Sequence, residues 1–305
     1  MGAYSTQILA TSGLIAYYKA TEPSGTTMTD SSGVVGNATY AGSGVSLGQT
    51  GLVPIESSDT SVFFDGINGR AQIASSATLQ LTTAISFIAW VKPTIVRTQH
   101  VIYKFGSYGM SMRGSYFSWE LDTVGAIGSP AGSVVAGNTY MVAGTYNGTA
   151  QTLYLNGYQV ATASRSNQSM GTNSNALEIG SVIAAEKWGG YLAHLSLFNT
   201  GLSAATIQNL YKLGVETTAA VPGSSAHVFG FSSQVVAANP SRQRITIYND
   251  SDTTVYLALG STATVGAGPR LDGGGDRWTS THYTGAISAI HNGYIGAKNL
   301  TIIEE

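Results

Sequence analysis

Two carboxylates on one strand are the residues with the most chemistry in this chain. Ser118-Trp119-Glu120-Leu121-Asp122 places Glu120 and Asp122 two positions apart. In a β-strand that spacing puts Tyr116, Ser118, Glu120 and Asp122 on one face, and Phe117, Trp119 and Leu121 on the other. Paired carboxyls about 5 Å apart are what retaining glycoside hydrolysis requires. A second set could bind sugar rather than cleave it. Tyr103, Tyr108, Tyr116 and Trp188 fall near expected strand ends or loops, and Trp188-Gly189-Gly190-Tyr191 sets two aromatics around two glycines. Glycine lets a ligand approach the backbone, and an aromatic face stacks under a pyranose ring. The competing role for each is packing in the core or at its rim, which aromatic residues adopt more often.

Other chemistries lack their residues. The five histidines, among them His100, His194 and His227, form no His-x-x-x-His pair, so no metal site is expected. Calcium needs six to eight oxygens, and carboxylates such as Asp65 and Asp122 stand singly in turns. Gly273-Gly274-Gly275 lacks the Lys-Ser/Thr sequel of a phosphate loop and reads as a turn. No serine has a Gly-x-Ser-x-Gly context. No cofactor is implied. There is no cysteine, which excludes disulfides and thiolate chemistry. Only 10% of the 305 residues are charged and the net charge is -2, so no basic face for nucleic acid is expected. The N-terminal MGAYSTQILATSGLIAYY has no basic leader region and is not a convincing signal peptide. No stretch is long enough to span a bilayer.

The elements that must position these residues are strands. Asn147-Gly148 and Asn156-Gly157 both suit two-residue type I′ turns, and the runs around them carry Tyr, Val, Thr and Leu. They predict an antiparallel meander over 138–163. Strands are also expected at Leu14–Tyr18, Val62–Phe64, Ala71–Ile73, Ile85–Trp90, Val101–Phe105, Tyr108–Met112 and Tyr116–Leu121, with edge pieces near Val34-Val35. Ser203 is an N-cap for a helix over 204–213, with Gly214 as its C′ residue. Val215–Ser225 reads as a linker. Beyond it, Arg244–Tyr248 and Thr254–Leu259 flank a polar turn and predict a hairpin. Ala286–Ile290, Tyr294-Ile295 and Leu300–Ile303 are further strands.

TYMVAGTYNGTAQTLYLNGYQVATA resembles the strand-turn-strand core of laminin-G-like, or concanavalin A-like, jelly rolls. SVFFDGINGRAQI (61–73), AISFIAWVKP (84–93), LEIGS (177–181) and GYLAHLSLFNTGLSAATIQNLY (190–211) resemble its other pieces in order, over roughly 12–214. The resemblance implies an all-β chain. A jelly-roll sandwich would occupy 1–214, a linker 215–225, and a small β-sandwich or barrel 226–305. It is specific for fold rather than function, since lectins, adhesion modules and glycosidases share it. In laminarinase-like relatives a Glu-x-Asp-x-x-Glu strand carries the catalytic groups. Here the third position is Gly125, so the resemblance implies no enzyme. Relatives often read Gly-x-Ile-Asp-Glu-Val where this chain has Gly190-Tyr191-Leu192-Ala193-His194-Leu195, which removes two acidic positions. VVAANPSRQRITIYNDSDTTVYLALG (235–260) resembles small β modules of tailed-phage head and tail proteins. Together these imply a structural and adhesive virion protein, exposed on a tail, fibre or capsid. Its partners would be other virion proteins, a host-surface glycan and further copies of itself. The glycan contacts would fall among Tyr103, Tyr108, Tyr116, Glu120, Asp122, Trp188 and Tyr191. The alternatives are a bacterial carbohydrate-binding module or a degenerate glycosidase.

Overall fold

The computed structural model describes residues 2–56, 58–166, 168–215, 225–292 and 296–305. The chain divides into two compact units, Met1–Gly214 and Val215–Glu305.

The N-terminal unit is built on two antiparallel eight-stranded sheets. The first runs Tyr158–Ser164, Ala150–Leu155, Tyr140–Tyr146, Ile85–Pro93, Gly189–Phe198, Thr60–Asp65 and Val45–Thr50, with Leu14–Tyr18 paired to Gly189–Phe198. The second runs Gly125–Gly128, Phe117–Leu121, Tyr108–Met112, Gln99–Lys104, Leu177–Ile179, Arg70–Ile73, Ala38–Ala41 and Thr27–Met28. Strand neighbours far apart in sequence mark the jelly-roll winding, and the fold is the concanavalin A-like sandwich. Phe117, Trp119 and Leu121 are fully buried, as their strand's alternation requires. Val34-Val35 forms no strand; the edge pieces lie on either side of it.

Ile85–Val91 is buried at every position because the first sheet is covered on both faces. Its second cover is helical. Trp90 meets Tyr4 of helix α1 (Ala3–Ala10) edge-on at 5.9 Å and stacks on Tyr211 of helix α2 (Ala204–Val215) at 5.9 Å. Helix α1 was not expected. Ser203 does cap α2, its Oγ accepting from the Thr206 amide at 3.1 Å. Gly214 is not the C′ residue but lies inside the helix. A Cβ there would come within 2.4 Å of the Trp90 ring, so the glycine serves close helix–sheet approach. Most of the expected linker, and the strand expected at Tyr294-Ile295, lie outside the described residues. Val215 ends α2 and Ser225 begins a strand.

The two Asn-Gly turns differ. Asn156 (φ 51°) and Gly157 (φ 74°) both have positive φ, and Leu155 pairs with Tyr158, which is a type I′ hairpin. At Asn147-Gly148 only the glycine is left-handed. There the Asn147 side chain accepts from the amides of Thr149 and Ala150 at 3.0 and 2.8 Å, an Asx turn instead. Gly157→Val should therefore destabilise the unit by about 1–2 kcal/mol in urea melts, because valine is strained at positive φ. An unchanged midpoint would contradict this role for the turn.

The C-terminal unit is a small sandwich of two four-stranded sheets. One runs Ser225–Val228, Lys298–Glu304, Ile245–Asn249, Asp276–Ser280; the other Ser233–Val236, Ile287–His291, Val255–Leu259, Arg270–Leu271. Val228, Ile245, Ile247, Val255, Leu257, Ile287 and Leu300 fill its core. Ile245–Asn249 and Val255–Leu259 alternate as expected, yet they are not a hairpin. They belong to different sheets, and 250–254 is an arch between them. Buried Asn249 holds the arch, its Nδ2 donating to the carbonyls of Thr253 at 2.8 Å and Leu271 at 2.9 Å. Gly273–Gly275 makes the second arch, bonded to the first through Gly274 N to Ser251 O (2.8 Å) and Gly275 N to Asn249 O (2.8 Å).

Candidate functional site

Three strands of the second sheet bring the carboxylate pair and one tyrosine together. Gly109 pairs with Glu120 on one side and with Tyr103 on the other. With no side chain between them, the Tyr103 ring lies across Gly109; a Cβ there would come within 2.0 Å of the ring. The Tyr103 hydroxyl reaches Glu120 Oε2 at 3.0 Å and Asp122 Oδ1 at 2.7 Å. Burial first, then the two carboxylates, push its pKa upward, so it stays a donor.

Glu120 is 8% exposed and fully engaged. Arg113 binds it through two bonds, Nε to Oε1 and Nη2 to Oε2, both 2.9 Å. Ser111 Oγ donates to Oε1 as well. Burial alone would raise the carboxyl's pKa, but Arg113, Ser111 and Tyr103 outweigh it and hold Glu120 below the ordinary carboxylate value. Such a group is an ionised structural acceptor. Both of its oxygens accept hydrogen bonds. Asp122 lies past the strand end and is exposed.

Above this pair the segment 182–186 forms the wall of a cleft of about 310 Å³. The cleft is lined by His100, Tyr103, Phe105, Arg113, Val182, Ile183, Ala185 and Glu186. Val182 and Ala185 exchange both backbone hydrogen bonds across a tight turn, at 3.0 and 2.7 Å. Its central residues Ile183 (φ 45°) and Ala184 (φ 56°) are left-handed, as is Glu186 (φ 40°). A β-branched residue at positive φ is strained. Glu178 Oε2 restrains the turn by accepting from the Ala184 amide at 3.0 Å. Ile183, 60% exposed, and Phe105, 48% exposed, both line the cleft. Glu186 Oε2 lies 3.3 Å from His100 Nδ1 and 3.6 Å from Arg113 Nη1. Burial, then the Arg113 charge, lower the His100 pKa despite Glu120 and Glu186, so its imidazole is neutral near pH 7. The cleft thus combines an apolar lip with a charged, hydrogen-bonding floor. Its volume is at the small end for ligand pockets.

The remaining expected site residues are elsewhere. Trp188 is 0% exposed and belongs to the core. Its neighbouring glycines serve packing: a Cβ on Gly190 would come within 2.3 Å of the Lys92 carbonyl oxygen. Tyr108 is 1% exposed, with its hydroxyl on the Leu79 carbonyl at 3.2 Å. Tyr116 is half-buried and covers Gly128. Tyr191 lies on the first sheet, packed on Phe63 at 5.0 Å with Lys92 Nζ 5.8 Å from its ring centre. Only Tyr103, Glu120 and Asp122 come together. His100, Phe105, Arg113, Ile183 and Glu186 were not foreseen. Asp65 caps its own turn, accepting from the amides of Ile67, Asn68 and Gly69 at 2.8, 2.8 and 3.0 Å. Away from the cleft, buried Glu56 and His194 and half-buried Asp59 bring their ligand atoms within 4.8 Å of one another, a set able to hold a metal ion.

Among the described residues, no helix is long and apolar enough to cross a membrane.

Residues 65–208 match the family model described as the concanavalin A-like lectin/glucanases superfamily. Comparison with curated proteins gives no match. Among solved structures, domain 4 of AbnA, an extracellular arabinanase of Geobacillus stearothermophilus in complex with arabinotriose, is similar at a TM-score of 0.50 and 15% identity, over 65% of this chain and 98% of that one. The receptor-binding domain of the botulinum neurotoxin C/D mosaic serotype is similar at a TM-score of 0.53 and 11% identity, over 81% of this chain and 57% of that one. The binding domain of Paraclostridial Mosquitocidal Protein 1 is similar at a TM-score of 0.52 and 10% identity, over 87% and 63%. This chain thus spans less than two thirds of the two toxin domains. Identities this low establish the fold alone.

Proposed function

We propose that the concanavalin A-like sandwich of this chain is a non-enzymatic glycan-contacting module, and that the cleft between Phe105 and Ile183 receives the sugar. The observation that carries the reading is the composition of that cleft. Two apolar side chains stand exposed at its lip, over a floor of Tyr103, Arg113 and Glu186 that offers donors and acceptors. Sugar rings present the same division, with C–H faces and hydroxyl edges. The engagement of every Glu120 oxygen supports binding over hydrolysis. That the neighbour in this fold from G. stearothermophilus holds arabinotriose adds to the reading without deciding the sugar.

The finer reading is an adhesive protein on the outside of a tailed-phage particle, with the C-terminal sandwich attaching and the N-terminal one presenting. It rests on the resemblance of residues 235–260 to phage head and tail modules. The short strands of the C-terminal sandwich leave edges that a partner can cover.

A glycan array followed by titration of the best sugar tests the binding reading. Phe105→Ala should weaken binding at least about tenfold, the scale of a lost stacking contact. The melting temperature should move little, because Phe105 is 48% exposed. Binding that survives Phe105→Ala and Ile183→Ser places the site elsewhere. Release of reducing ends from β-glucans that Glu120→Gln abolishes would replace the module with an enzyme.

A further inference from the structure

A hydrogen-bond chain under helix α1 ends on His194. Glu56 accepts from Ser5, its Oε1 from the Ser5 amide at 2.8 Å and its Oε2 from the Ser5 hydroxyl. The Ser5 proton is thereby used, so Ser5 Oγ accepts from the Tyr17 hydroxyl at 3.0 Å. The Tyr17 oxygen is also 2.7 Å from His194 Nδ1. Nδ1 is thereby engaged, and Nε2 is the ring nitrogen left for other partners. It faces two carboxylates. Asp59 Oδ2 is 3.4 Å away and Glu56 Oε2 3.9 Å. His194 is 0% exposed, and Nε2 has no hydrogen-bond partner among the described residues.

One imidazole nitrogen and two carboxylate oxygens gathered within 4.8 Å of one another are a ready set of ligand atoms for a cation. We propose that His194 Nε2, Asp59 Oδ2 and Glu56 Oε2 form a divalent-cation site with Zn²⁺ as its preferred ion. One imidazole and two carboxylates are a zinc-type donor set. With bonds of about 2.0–2.2 Å, tetrahedral ligands sit about 3.3–3.5 Å apart. The 3.4 Å separation is such an edge, and the 3.9 Å one would have to shorten for the ion to bridge it. The backbone is shaped for it. His194 has φ 52° at a bulge between Ala193 and Ser196, which turns its ring out of the sheet's alternation. The tyrosine on Nδ1 and the serine on Glu56 are the outer hydrogen bonds that orient metal ligands. The ion would join the closing strand, the segment before Thr60 and, through Ser5, helix α1.

Lys19 makes the site testable in two directions. Its Nζ lies 2.7 Å from Asp59 Oδ2, the oxygen the ion must take. Lys19 and the cation therefore compete. The full chain, stripped with chelator and titrated with Zn²⁺, should bind one equivalent and gain melting temperature. Co²⁺ in its place should give the visible absorption of a tetrahedral site. His194→Gln should weaken Zn²⁺ binding about 100-fold or more and abolish the thermal gain, whereas Lys19→Met should tighten binding. If His194→Gln does not fold, Asp59→Asn is the alternative, its side chain being 20% exposed. Absence of saturable Zn²⁺ binding overturns the proposal. So does binding that His194→Gln and Asp59→Asn leave unchanged, which places the ion at other histidines.

Discussion

Trp188→Ala is expected to cost the N-terminal unit about 3–5 kcal/mol, the usual penalty for emptying a buried tryptophan site. That is a large share of the roughly 5–15 kcal/mol that holds a domain together. Trp188 is 0% exposed and is among the largest fully buried side chains of the chain. Its backbone amide is fixed on the Gly180 carbonyl at 2.9 Å, so the segment cannot swing in to fill the gap. Gly189 and Gly190 cannot take larger residues in compensation, because a Cβ on either comes within 3 Å of packed atoms. Urea melts of the two proteins give the difference directly. The same change at Phe105 should fall within about 0.5 kcal/mol, as for exposed residues generally. A Trp188→Ala protein that keeps its midpoint but loses sugar would return Trp188 to the role its sequence context suggests.

That contrast shows what the sequence could carry. Glu120 was legible because strand alternation sets it on the face opposite Phe117 and Trp119, and Tyr103 only as an aromatic near an expected strand end. Which strands pair, and in what register, is settled by tertiary packing. Without the Tyr103–Gly109–Glu120 row, nothing ties the tyrosine to the carboxylate. Arg113 falls just past its strand and Glu186 sits in a strained loop, so neither carries a periodic signal. Gly189-Gly190 reads as room for a ligand, and is room for packing: Gly190 gives way to strand Ile85–Pro93 and Gly189 to Ile95. Helix α1 is eight residues of weak pattern; it is held by Tyr4 on Trp90 and Ser5 on Glu56, contacts that only the fold supplies. The same holds for the polar cluster at His194. Glu56 and Asp59 are far from it in sequence, and a histidine search by spacing cannot find them. The arch over 250–254 escapes the sequence for a related reason. A polar turn between two alternating strands looks the same whether the strands pair or part into two sheets.

Arg113→Met is expected to lower stability by about 2–3 kcal/mol at pH 7, and to cost less as the pH falls. Removing one partner of a fully buried ion pair costs about 3–5 kcal/mol, since the other charge stays buried alone. The value here is reduced because the Arg113 side chain is 34% exposed and water can replace part of it. In the native protein the folded pKa of Glu120 is depressed, because Arg113, Ser111 and Tyr103 together outweigh its burial. A depressed carboxyl contributes stability above its unfolded pKa, about 4.3. That contribution is lost as pH falls through the folded value. In Arg113→Met the two bonds at 2.9 Å are gone and burial dominates. The folded pKa should then rise above the unfolded one, which reverses the sign. The variant gains stability relative to neutral pH as Glu120 takes up its proton, and the two curves converge at acid pH. Arg113→Met combined with Glu120→Leu should recover most of the loss at pH 7, because a buried pair replaced by apolar groups is often close to neutral. Urea melts of the three proteins between pH 3 and 8 decide it. Parallel curves for the native protein and Arg113→Met would mean that the arginine acts through packing, and that Glu120 is not held ionised by it.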